Sequence, residues 1–112
     1  MKPVVDKAEV SIDFPDKTYM GSFSQESGFE VRAEPDAILL KLIRPGEERR
    51  EISIHLHYYL LADILKATAE ALSDHEPLDE AHAGSLREAT NALSTAFGST
   101  ENRRRNKKTK AN

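Results

Sequence analysis

A chain of 112 residues has room for one domain, able to bury roughly 65% of its unfolded surface. It has no cysteine, which excludes a disulfide framework, a thiolate zinc site and a cysteine nucleophile. The net charge of −3 conceals an uneven distribution: residues 101–112 carry six Lys or Arg against one Glu, so a basic end of +5 is attached to a body of −8.

Met1 to Lys7 has no periodicity and reads as a flexible N-terminus, without the apolar run of a signal peptide. No stretch approaches the length of a membrane span, so a soluble, cytoplasmic protein with no membrane partner is expected. From Ala8 to Phe14 the residues alternate, with Val10, Ile12 and Phe14 on one face and Glu9, Ser11 and Asp13 on the other, the period of a half-buried strand. Pro15-Asp16-Lys17 is turn chemistry, because Pro presets φ and Asp bonds to the backbone ahead of it. A second strand is expected over Thr18 to Ser24, with Tyr19 and Phe23 sharing a face and Gly21 marking a bulge or a close approach. After a turn at Glu26-Ser27-Gly28, Phe29 to Glu34 alternates again, with Phe29, Val31 and Ala33 inward.

Ala37 to Arg44 is the most apolar strand. Ile38, Leu40 and Leu42 share one face, and Leu39 and Ile43 flank Lys41 on the other. A strand apolar on both sides lies centrally and is covered twice, so Leu39 and Ile43 are expected to form an interface with the second helix or with a partner chain. Pro45 to Arg49 then supplies a charged hairpin loop, and Arg50 to His57 alternates with Ile52, Ile54 and Leu56 together. At Tyr58 the period changes from two to 3.6. Tyr58, Leu61, Leu65, Thr68 and Leu72, widened by Leu60 and Ile64, form a helical stripe about 100° across. Pro77 stops this helix and Asp79 is a suitable N-cap for a second one, from about Glu80 to Phe97, with Leu86, Ala89, Leu93 and Phe97 on its apolar side and Gly98 at C′.

The expected architecture is α+β: a five-stranded antiparallel β-meander followed by a C-terminal two-helix hairpin packed on the sheet. Residues 8–98 would form a single domain and 99–112 a disordered basic tail. A meander followed by a helix is similar in layout to small single-stranded-DNA-binding folds such as that of one family of transcriptional coactivators. That family's basic strand positions are missing here and a second helix is added, so the likeness is one of layout.

The groups able to carry chemistry are few. His55 and His57 lie on one strand face about 6.5 to 7 Å apart, a spacing at which two imidazoles can share a metal, although zinc sites ordinarily declare three or four ligands. His75 and His82 read as solvated. Acidic pairs such as Glu47-Glu48 and Asp79-Glu80 fall in turns and caps, where nothing raises a carboxyl pKa for general acid work. There is no Gly-rich phosphate loop and no nucleophile elbow, so neither a cofactor nor an enzymatic activity is expected. The polar sheet face is acidic and repels phosphate. Arg103, Arg104, Arg105, Lys107, Lys108 and Lys110 are the cations suited to a polyanion. The leading expectation is a non-enzymatic binding or regulatory module that engages a protein or nucleic-acid partner as a homodimer. The alternatives are a direct nucleic-acid binder using its tail and a metal-dependent activity around His55 and His57.

Overall fold

The computed structural model describes the backbone of residues 1–110 and the side chains of residues 1–98. Its elements in order are β1 (Lys2–Pro3), β2 (Ala8–Phe14), β3 (Lys17–Phe23), β4 (Gly28–Ala33), β5 (Ala37–Arg44), β6 (Arg50–His57), α1 (Tyr58–Ser73) and α2 (Glu80–Lys110). The fold class is α+β, but there is no single five-stranded meander. Six antiparallel strands form two sheets, a four-stranded one in the order β1-β4-β5-β6 and a separate β2-β3 ribbon.

The correction has a local cause. Ala8–Phe14 and Lys17–Phe23 pair with one another along their whole length, from Ala8 opposite Phe23 to Phe14 opposite Lys17, so the tight turn at Pro15 consumes both strands in one hairpin. The place beside β4 is taken by β1, with Lys2 opposite Phe29 and Pro3 opposite Gly28. The N-terminal segment expected to be loose thus contributes a strand. Gly21 sits opposite Val10 in unbroken register, so it marks no bulge. A Cβ there would lie 3.7 Å from Cδ of Arg50, which makes Gly21 the point where the ribbon meets β6.

The turns follow from residue chemistry. Ser27 N–H donates to the carbonyl of Ser24 at 2.9 Å and Ser24 N–H donates to Ser27 Oγ at 3.2 Å, closing the β3-β4 turn reciprocally. Pro45-Gly46 opens the β5-β6 loop, and Gly46 adopts φ 112°, a conformation that a Cβ would strain. The β4-β5 turn is tied to the start of α1. Tyr58 donates its hydroxyl to the carbonyl of Glu34 at 2.6 Å, and its N–H faces the carbonyl of Asp36 at 3.3 Å. With no residue between His57 and Tyr58, β6 passes directly into the helix.

Two compact units divide the chain, Met1–Ala69 and the segment from Glu70 onward. In the first, which holds both sheets, the fully buried residues are few: Phe23, Ala37 and Leu39, with Ser27 and Gly28 beside them. In the second, Asp79 caps α2 as expected, with Ala83 N–H donating to its carbonyl at 3.0 Å and His82 N–H facing its carboxylate at 3.4 Å. The helix does not stop at Gly98. One interior Gly costs only about 1 kcal/mol, and the Arg and Lys that follow are good helix formers. The side chains of 99–110, and residues 111–112 altogether, lie outside the described residues, and with them most of the expected disordered tail.

Candidate interaction surface

The register of the four-stranded sheet sorts its side chains into two faces. On one, three rows across β4, β5 and β6 are apolar, Phe29, Leu42 and Ile52; Val31, Leu40 and Ile54; Ala33, Ile38 and Leu56, the first continuing to Lys2 of β1. On the other, the rows are Arg32, Leu39 and His55; Glu30, Lys41 and Ser53; Gly28, Ile43 and Glu51. The apolar face would be the core of an ordinary layered domain. Here none of its nine residues is fully buried, and Val31 at the middle row is 54% exposed. The polar face instead holds the buried Leu39, 5% exposed, with Ile43 half-buried. Of the two residues singled out from sequence as an interface, Leu39 is buried and Ile43 half-buried, while the face read as inward is half-buried at seven of its nine positions and exposed at Val31 and Ala33.

The ribbon repeats the pattern. Val10, Ile12, Phe14, Tyr19 and Phe23 share a face, on which Phe23 at the base is buried while Ile12, Phe14 and Tyr19 toward the tip are exposed. Phe14 and Tyr19 meet edge to face with ring centroids 5.9 Å apart, and the Lys17 ammonium lies 5.2 Å from the Tyr19 ring. Between ribbon and sheet runs an open cleft of about 410 Å³, lined by Ile12, Tyr19, Met20 and Phe23 on one side and by Arg49, Arg50, Glu51 and Ile52 on the other. Helix α1 has no buried residue, and Leu60, Ile64 and Leu65 of its stripe are all exposed.

His55 and His57 do not converge on a common centre. His55 Nε2 lies 3.7 Å from Glu34, and His57 Nδ1 lies 3.9 Å from Asp36, so each imidazole faces its own carboxylate at the β4-β5 turn. Among the described residues no group of three or more His, Cys, Asp or Glu is placed to hold a metal ion. His82, read as solvated, is bonded through Nδ1 to the Asp79 carboxylate. That hydrogen bond, the largest influence on it, holds the Asp79 carboxyl below its usual range. Glu51 receives Arg49 at 3.0 Å and Lys41 at 3.8 Å, surface pairs of small energetic weight. The side chains of Arg103, Arg104, Arg105, Lys107, Lys108 and Lys110 fall outside the described residues. Among the described residues no helix is long and apolar enough to cross a membrane.

The open apolar face was within reach of the sequence, since alternation places Val31, Leu40 and Ile54 on one side of their strands. What alternation does not carry is which side another layer covers. No family model matches the chain, and no curated protein and no solved structure resembles it significantly.

Proposed function

We propose that the chain is a non-enzymatic binding module that works as a homodimer, the second copy covering the apolar face of the four-stranded sheet. The observation that carries this reading is the incomplete burial of that face: of the nine residues in its three apolar rows seven are half-buried, two are exposed and none is fully buried. Each aliphatic side chain removed from water there contributes on the order of 1–3 kcal/mol, and a contiguous open patch of this kind marks an interaction site. The counterpart surface is the stripe of Leu60, Ile64 and Leu65 on α1 of the other copy, which is itself exposed. In this form the expected packing of helix on sheet occurs between chains. The charged remainder of the surface then serves a protein or nucleic-acid partner.

Because a dimer is stabilised by mass action, its melting temperature rises with protein concentration. Thermal unfolding followed by circular dichroism across about a hundredfold concentration range tests this, and a concentration-independent midpoint contradicts it.

A second reading, direct nucleic-acid binding through the tail, is favoured by the charge asymmetry between residues 101–112 and the acidic remainder. Six cations at about −0.9 each give a limiting log–log salt slope of about −5 on duplex DNA. Under this reading a chain ending at Thr100 loses binding altogether. Equal affinity of full-length and shortened chains at a salt concentration of about 150 mM contradicts it.

A further inference from the structure

From the free edge of β6 we infer how two copies join: β6 pairs antiparallel with β6 of a second copy about a two-fold axis through Ile54, fusing the two four-stranded sheets into one. This rests on the homodimer reading above and specifies its geometry.

The two edges of the sheet are built differently. At one end stands β1, two residues long and containing Pro3, a blunted edge that offers little to pair with. At the other stands β6, eight residues in regular alternation with no Pro, no Gly and no Lys, the devices that ordinarily guard an edge. Its outer row of N–H and C=O groups has no strand partner in the sheet.

The occupant follows from self-complementarity. Antiparallel partners face the same side of a sheet, so a symmetric pairing must oppose residues of like parity. Centred on Ile54, the pairing sets Ile54 against Ile54 and Ile52 against Leu56 on the apolar side, and Ser53 against His55 and Glu51 against His57 on the polar side. Every apolar residue meets an apolar one, and the acidic residue meets an imidazole. Centred one residue earlier, on Ser53, the pairing sets Arg50 against Leu56. The Ile54 register has no such mismatch and engages Glu51 through His57 of both strands, about six to eight backbone hydrogen bonds.

The cleft beside the strand supports the same placement. Three consecutive β6 residues, Arg50 to Ile52, and the loop residue Arg49 before them line it, which takes in both faces and so brings the cleft to the outer edge. The proposed register delivers Leu56 of the second copy opposite Ile52, where Tyr19 and Phe23 of the ribbon form the far wall. Since α1 follows His57 without a linker, the helix of the second copy starts next to Arg50 of the first.

The absence of cysteine makes the test clean. Full-length chains carrying Ser53→Cys or His55→Cys, one of them tagged, are oxidised separately and as a mixture. Both residues are exposed and lie on the polar side of the strand, so the substitutions leave the apolar rows intact. Directly opposed residues have Cβ atoms about 4.5 to 5.5 Å apart, close enough to bridge with slight adjustment, whereas neither residue opposes its own copy. The expected result is that the mixed disulfide dimer forms at least about tenfold faster in the mixture than either homodimer disulfide alone. Ile54→Cys, the residue on the axis, cross-links to itself. Ready self-cross-linking of Ser53→Cys overturns this register. A chain that sediments as a dimer yet forms no mixed cross-link overturns edge pairing and leaves the homodimer reading standing. A chain that sediments as a monomer overturns both.

Discussion

At the scale of single residues, Asp79 shows how one side chain sets the start of an element. Its carbonyl accepts from Ala83, its carboxylate faces the amide of His82, and the His82 ring bonds to it as well. The contacts from His82 favour the ionised carboxylate, chiefly through its side chain, so the Asp79 pKa is lowered from the ordinary 3.8. A group with a depressed folded-state pKa contributes stability above its unfolded value and loses it as pH falls through the folded one. The first turn of α2 is therefore expected to loosen as pH falls below 3.8 and through the lowered folded-state value, and in Asp79→Ala to lose that acid transition. Acid titration of the His82 and Ala83 amide resonances reads this directly. Titration at the ordinary carboxylate value would show that the cap does not hold the charge. Gly46 and Tyr58 act at the same scale, the first through φ 112° at a turn, the second by fastening α1 to the β4-β5 turn through Glu34.

At the scale of elements, the five longer strands and both helices were legible in the sequence, and the reasons are local. Period-two alternation in 37–44 and 50–57 and the switch to a helical period at Tyr58 are properties of neighbouring residues, and the structure has β5, β6 and the start of α1 at those positions. Pairing was less legible, because it depends on residues far apart. Nothing in Lys2-Pro3 announces that it pairs with Gly28 and Phe29, and nothing in β3 announces that it leaves the main sheet with β2. The faces of β5 show the same limit. Leu39 and Ile43 read as a pair to be covered, and Leu39 is buried and Ile43 half-buried, but alternation does not say which layer lies over them. The end of α2 is not marked by Gly98, because a single Gly costs a helix only about 1 kcal/mol, and α2 continues to Lys110.

At the scale of the whole molecule, the apolar sheet face, the tip of the ribbon and the stripe of α1 are surfaces that a stable soluble chain does not ordinarily leave in water. In the proposed dimer a second copy covers the sheet face and the α1 stripe and gives the unguarded edge of β6 a partner. The measurement that tests this most directly is sedimentation equilibrium of the full chain beside Leu40→Asp. The account predicts a wild-type mass of twice 12.5 kDa at micromolar concentration. The variant, which places a charge in the middle apolar row, should weaken association by at least about a hundredfold, because burying an unpaired carboxylate costs several kcal/mol. A wild-type chain that stays at 12.5 kDa up to the highest soluble concentration would contradict it.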